Sequence, residues 1–193
     1  MLGHRMRILI AGILGGIAMF AWTSVAHMAT PLGDTGFSQI QNEAPVLAAM
    51  QKSIGDKSGL YFFPWMDRKA PDAMTKYAEV LKTNPSGILL YHPPGANTDM
   101  TGPLIYEFAK ELFEALIAAF LLGWAAIAGF AARTGFVTLI GVGAAISTNA
   151  SYWIWYRFPS DYTLAQIAIP LIGYVVAGAV IALVLPKKPV PAA

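Results

Sequence analysis

The sequence of 193 residues contains no cysteine. This absence excludes disulfide bonds, thiolate zinc sites, iron–sulfur clusters and thiol chemistry. Charged residues are also scarce, at 12 % of the chain, against about 25 % in soluble domains. The formal net charge is only +2 and no long run of lysine or arginine occurs, so nothing indicates binding to nucleic acid.

Long apolar runs are abundant instead, because 56 % of the residues are hydrophobic. A helix needs about 20 such residues to cross a bilayer. Four stretches reach this length, namely 8–26, 112–132, 136–156 and 164–185. Helices are expected because isolated strands would leave backbone groups unpaired in lipid. The sequence therefore predicts an all-α membrane bundle of four helices.

The first run, 8–26, has a second interpretation. Arg5 and Arg7 precede it, and residues 24–26 make an acceptable small-residue cleavage site, as in a secretory signal peptide. The run is somewhat long for the apolar part of a signal peptide. Its length favours a helix that stays in the protein.

The basic residues predict the orientation of the chain, because they concentrate on the cytoplasmic side of membrane proteins. With the N-terminus inside, the inner segments contain five basic residues and no acidic one: Arg5, Arg7, Arg133, Lys187 and Lys188. Aromatic residues at 152–156 fit the opposite, outer interface. We expect a multi-pass membrane protein with both termini on the cytoplasmic side and residues 27–103 on the outer side.

The predicted orientation divides the chain into three parts: residues 1–26, the outer segment 27–103, and the helices of 104–193. Residues 43–54 and the stretch after Pro71 have helical spacing of apolar side chains. Residues 58–64 and 86–93 each start with Ser-Gly, continue as a short apolar run and end at proline, which is typical of strands buried on both faces. A helix separates them, so we predict a small α/β domain with a parallel β-α-β crossover.

Apolar residues in this domain and small residues in the first helix are candidates for interfaces. Tyr61, Phe62, Phe63 and Trp65 form an aromatic cluster that needs cover. The chain's own helices, the lipid headgroups or a partner protein would supply that cover. Gly12-xxx-Gly16 allows close helix packing, either within the chain or against another subunit.

Three carboxyl groups are the main candidates for chemistry. Glu107, Glu111 and Glu114 share one face of a predicted helix. With His27 and His92 they would form a metal or proton site, although no metal-binding motif supports this. The structural alternative is that acids near a helix start complement the helix dipole.

Asn149 is a further ligand candidate, at the same predicted depth as Pro170. Pro170 lacks a backbone donor and so frees the carbonyl of Gln166. Polar groups at this level make either a small pocket open to the outer face or hydrogen bonds between helices.

Two groups of residues resemble a family of small bacterial inner-membrane proteins with four transmembrane helices. The first is His27-Met28 with Pro31-Leu32-Gly33, Asn42-Glu43 and Val46-Leu47-Ala48-Ala49, and the second is Ser151-Tyr152-Trp153 with Trp155-Tyr156, Phe158-Pro159 and Asp161. The resemblance would span most of the chain. It implies a multi-pass protein of the bacterial inner membrane, with both termini cytoplasmic and residues 27–103 periplasmic, and it implies no activity.

The functional hypothesis is a non-catalytic accessory or interaction subunit of a larger inner-membrane complex. Its expected partners are the lipid bilayer and other membrane subunits or copies of itself, and no cofactor is predicted. The alternative is a periplasm-facing enzyme, or a protein that binds a small ligand or metal at the outer end of the bundle. A small transporter would need several copies to form a pore, because the predicted spans have no charge at their midplane.

Overall fold

The computed structural model describes residues 3–96, 98–125 and 127–185. These residues form six α-helices, one short 3-10 turn (Pro31–Gly33) and two strands. In chain order the elements are α1 (His4–Ala29), α2 (Glu43–Ile54), β1 (Gly59–Phe63), α3 (Ala73–Leu81), β2 (Gly87–Tyr91), α4 (Thr101–Ala125), α5 (Phe130–Tyr156) and α6 (Ser160–Val184). They belong to two compact units, one with the long helices and the other comprising Ser38–Met100.

Three helices in the described part of the chain are long and apolar enough to cross a membrane: α1, α5 and α6. They identify the chain as a membrane protein. The fourth long helix, α4, has 25 residues but carries charged side chains through its first half. The sequence predicts a membrane span over residues 112–132. The C-terminal end of this prediction is wrong, because α4 ends at Ala125.

The error comes from one turn inside an apolar stretch. Gly129 has a φ of +85°, in the left-handed region that glycine adopts without steric cost, and α5 begins at the next residue. Because the surrounding residues are alanine, isoleucine and phenylalanine, hydropathy does not reveal the turn. Arg133 consequently lies in the first turn of α5 and not beyond the end of a helix.

The four long helices pack in the order α4–α1–α6–α5. Helix α1 packs against both α4 and α6, and α6 also packs against α5, whereas α4 and α5 make little contact. A closed four-helix bundle would need extensive packing between α4 and α5. The arrangement is therefore an open row whose core includes Met19, Val137 and Ile181.

Glycines bring neighbouring helices of this row close together. A Cβ atom on Gly12 would lie 2.7 Å from the Leu116 side chain, and one on Gly16 would lie 2.7 Å from the Leu112 Cα atom. The predicted Gly12-xxx-Gly16 seam thus packs against α4 of the same chain. It is not exposed for a second subunit.

The small unit contains the elements that the sequence predicted but connects the strands differently. Helices α2 and α3 and both strands lie where expected. The strands, however, pair antiparallel, with Gly59 opposite Tyr91 and Phe63 opposite Gly87. The predicted parallel β-α-β crossover is therefore wrong.

The antiparallel pairing has a physical reason. Phe63, the last residue of β1, lies opposite Gly87, the first residue of β2. The segment that contains α3 therefore starts and finishes at the same end of the sheet. A parallel crossover would have to travel back along the whole strand. The antiparallel ladder is also slightly more stable per residue.

The prediction that both strand faces are buried is also wrong. On one face, Phe62 stacks on Tyr77 of α3 with ring centroids 6.1 Å apart, but Leu60 and Leu90 remain 69 % and 66 % exposed. On the other face, the Tyr91 hydroxyl donates a hydrogen bond to the Gly55 carbonyl at 2.9 Å. Helix α3 therefore covers this sheet face at Phe62 and leaves it uncovered at Leu60 and Leu90.

Candidate functional site

The predicted carboxyl site begins with a buried glutamate on α4. Glu111 is 1 % exposed, because the α4 face that also carries Ala115 and Leu122 packs into the helix row. The buried Thr23 hydroxyl of α1 donates a hydrogen bond to Glu111 Oε1 at 2.6 Å. Among the described residues, the second oxygen, Oε2, is buried and has no hydrogen-bond partner.

The three predicted carboxyl groups have different surroundings. Glu107 is partly exposed and forms a salt bridge with Lys110 at 2.7 Å. Glu114 is half-buried and hydrogen-bonds with the Tyr174 hydroxyl of α6. The shared helix face therefore divides into a solvated ion pair, a buried acid against α1 and a half-buried acid against α6.

The two histidines do not join these acids. His27 lies exposed near the end of α1, and His92 is exposed just after β2 in the small unit. Among residues 3–96, 98–125 and 127–185, no three histidine, aspartate or glutamate side chains group closely enough to hold a metal ion. The described structure thus provides no metal-binding geometry for the predicted set.

Asn149 forms a hydrogen bond between helices. Its Nδ2 atom donates to the carbonyl of Ala145 at 2.9 Å and to that of Gln166 on α6 at 3.3 Å. The second acceptor is the carbonyl that Pro170 leaves without its helical donor. This geometry corresponds to the interhelical alternative for Asn149, in which a half-buried amide connects two apolar helices.

Sequence reasoning used Arg133 only to orient the chain and missed its buried role. Arg133 is 5 % exposed; its Nε atom donates to the Ile127 carbonyl at 2.9 Å and its Nη1 atom to the Leu185 carbonyl at 3.0 Å. Cations complement the negative ends of helices. An arginine four residues after a glycine inside an apolar stretch was the available signal.

Tyr174 was also missed as a contact between helices. Its ring occupies the space beside Gly141 of α5, where a Cβ atom would overlap it, while its hydroxyl meets Glu114 of α4. One side chain of α6 thus contacts both outer helices of the row. The sequence signal was a single tyrosine in an otherwise aliphatic half-helix.

Aromatic rings near the junction of α5 and α6 form a connected cluster. Ring centroids are 5.4 Å apart for Tyr152 and Phe158, 5.5 Å for Phe158 and Tyr162, and 5.4 Å for Tyr162 and Phe37. Such rings are common at membrane interfaces. Tyr152 belongs both to this cluster and to the aromatic residues 152–156, whose place at the outer interface stays a prediction.

The predicted aromatic interface in the small unit is only partly covered. Tyr61 packs edge-on against Tyr91, and Phe62 stacks on Tyr77, so both are half-buried. Phe63 is exposed, and Trp65 is 81 % exposed. The directly opposed Leu60 and Leu90, hereafter the Leu60–Leu90 pair, are the more exposed residues of the sheet, and sequence reasoning had not selected either of them.

The small unit has little core of its own. Among its described hydrophobic residues only Ala73 and Tyr91 are buried. No residue of α2 is buried, although Leu47 and its neighbours are apolar. A two-stranded sheet is marginally stable in water unless further strands or packed helices cover it.

Comparisons with protein-family models, with curated proteins and with solved structures found no match.

Proposed function

We propose that this chain is a non-catalytic membrane subunit that binds a partner protein through the Leu60–Leu90 pair of its small unit. The observation that supports this is the exposure of both leucines, directly opposite each other on a sheet with almost no core beneath it. Exposed apolar patches on an ordered unit are typical of interaction sites. Trp65 adds a residue type that often dominates binding energy.

The backbone of the sheet favours a protein partner over a lipid surface. Within the described residues, β1 and β2 pair only with each other, so each strand has an edge without a further strand. Backbone groups at such an edge require hydrogen bonds, which acyl chains do not supply. A partner that adds a strand or covers the leucines would satisfy both needs.

In this proposal α4 is a fourth membrane helix. Its support is the close packing of Leu112 and Leu116 against the apolar helix α1 at Gly16 and Gly12. Four spans bring both termini to one side, and the basic residues favour the cytoplasm for that side. The small unit would then face the periplasm of a bacterial inner membrane.

Site-specific photo-cross-linking in intact cells tests the partner. A photoreactive amino acid at Leu90 should give one discrete adduct with a different protein, because a bound partner covers this position. Lys76 is a matched control position, since it is exposed on α3 and forms a salt bridge with Asp72 at 2.9 Å. Leu60→Glu should abolish the adduct at position 90, because a charge in an apolar contact is costly.

Three results would contradict the proposal. They are no protein adduct at position 90, adducts of equal yield at positions 76 and 90, and an adduct with the mass of two copies of this chain. Purification in native lipid as a monomer without companion chains would also contradict it.

Glu111 favours a second candidate, a small polar ligand bound within the helix unit. Its Oε2 atom is buried without a partner, and a ligand that donates a hydrogen bond would satisfy it. Glu111→Gln should then abolish ligand retention, measured by mass spectrometry of the purified protein. Glu107→Gln is the control because Glu107 is partly exposed and already paired with Lys110. Equal retention in both variants and the wild type would exclude this candidate.

A further inference from the structure

A groove of about 750 Å³ lies between α1 and α4. Its walls are mainly aliphatic and aromatic side chains of both helices: Ile8, Leu9, Leu116, Ile117, Phe120 and Leu121. Leu9, Ile117 and Phe120 are each partly exposed, so the groove is open to the surroundings of the helices. Because α1 is long and apolar enough to span a membrane, these surroundings are acyl chains.

One end of the groove is cationic and the rest is not. His4 and Arg5, in the first turn of α1, line this end together with Trp124 of α4. The helices run antiparallel, since Gly16 meets Leu112 and Ile8 meets Gly123, and so the start of α1 adjoins the end of α4. Tryptophan is enriched at the boundary between acyl chains and headgroups.

Within the part of the chain that the structure describes, no acidic side chain lines the groove to balance this charge. Helix α1 contains no aspartate or glutamate. On α4, the acidic residue nearest to the cationic end is Glu114. It lies ten residues before Trp124, or roughly 15 Å along the helix. The partial positive charge of the α1 N-terminus adds to that of Arg5.

We infer that this groove binds an anionic diacyl phospholipid. An acyl chain would lie along the aliphatic walls, and the phosphate would meet Arg5 and His4 at the cationic end. Each half of the groove matches one half of such a lipid, and basic pockets between membrane helices are known to bind anionic headgroups. The inference does not depend on the proposed partner protein.

Native mass spectrometry of the full-length protein in detergent tests this site. Phosphatidylglycerol and phosphatidylcholine with identical acyl chains are added separately, and bound lipid is counted at each concentration. Phosphatidylglycerol should bind more tightly. Arg5→Gln should weaken its binding about fivefold, the effect of losing one basic residue near an anionic surface. Phosphatidylcholine binding should change less.

Two further variants make the test specific. Arg7→Gln removes the same charge from the same helix turn but does not line the groove, so its affinity for phosphatidylglycerol should stay within twofold of the wild type. Ile117→Trp fills the groove from a partly exposed position and should weaken the binding of both lipids. Circular dichroism would verify that both variants keep the wild-type helix content.

The inference is wrong if phosphatidylglycerol and phosphatidylcholine bind equally. It is also wrong if Arg5→Gln and Arg7→Gln reduce binding to the same degree, since that would indicate general attraction to a basic terminus. Competition by inorganic phosphate at the same concentration as the lipid would indicate a bare anion site and would also overturn it.

Discussion

At the scale of single residues, the fit between glycine and bulky side chains determines how closely the long helices pack. Tyr174 lies where the missing side chain of Gly141 would be, which lets α5 and α6 approach. Its hydroxyl then reaches Glu114 on α4. One glycine position therefore affects three helices of the row.

Gly141→Ala should lower the stability of the helix unit by about 1–3 kcal/mol, because the new methyl group overlaps the Tyr174 ring and overpacks the core. Thermal unfolding in detergent, followed by circular dichroism, would measure this loss. Gly143→Ala is the matched control, since a Cβ atom there has no neighbour within 4 Å. The packing explanation fails if the two variants unfold at the same temperature.

The same scale shows what the sequence could and could not reveal about the site. The spacing of Glu107, Glu111 and Glu114 put them on one helix face, but it could not identify the buried one. The burial of Glu111 depends on the packing of α1 against α4. This packing brings Thr23, 88 positions away in the chain, into hydrogen-bond contact with Glu111. The effect of Pro170, by contrast, could be predicted from the sequence, because the loss of a backbone hydrogen bond is a local property of proline.

At the scale of elements, the direction of β2 decides which side chains of the small unit face each other. In the antiparallel register Leu60 lies opposite Leu90. A parallel pairing that aligns the two Ser-Gly starts would put Leu60 beside Ile88 instead. The exposed Leu60–Leu90 pair, on which the proposed function depends, exists only in the antiparallel arrangement.

The absence of cysteine allows a direct test of this register. Leu60→Cys with Leu90→Cys should form a disulfide on mild oxidation, because directly opposed residues have Cβ atoms about 4.5–5.5 Å apart. Leu60→Cys with Ile88→Cys is the control pair and should stay reduced, since diagonal neighbours are about 7–8 Å apart. Titration of free thiols under denaturing conditions would measure how much of each pair has formed a disulfide. Oxidation of the control pair alone would favour the parallel arrangement.

The elements themselves were largely predictable, whereas their connections were not. The apolar spacing and flanking signals of α2 and α3 are local, and both helices form where these signals lie. Strand direction and the exposure of Leu60 depend on the path of the segment between the strands, which local patterns do not encode. Hydropathy likewise missed the turn at Gly129, because a turn made of apolar residues reads as a continuous span.

At the scale of the whole molecule, the number of membrane crossings decides on which side each connection lies. Helices α1, α5 and α6 are apolar enough to cross a membrane, and in our proposal α4 also crosses. With four crossings, residues 127–129 lie on the same side as the start of α1. With three, they would lie on the side of the small unit.

Single cysteines and a membrane-impermeant maleimide distinguish these cases in intact cells with a permeable outer membrane. Cysteines replacing Lys76 and Ser160 should react, because both face outward in a four-span protein. Cysteines replacing Gly3 and Ala128 should react only after lysis. Labelling at position 128 in intact cells, with protection at position 160, would exclude a crossing by α4.

The order of the helix row makes α1 its central scaffold. Helix α4 packs mainly on α1, and α1 in turn joins α4 to the α5–α6 pair. If α1 were cut away, α4 would lose the threonine that contacts its buried glutamate and the glycines against which its leucines rest. The remaining chain would keep the α5–α6 hairpin but hold α4 only through small contacts such as that of Glu114 with Tyr174, so the order of the row depends on α1.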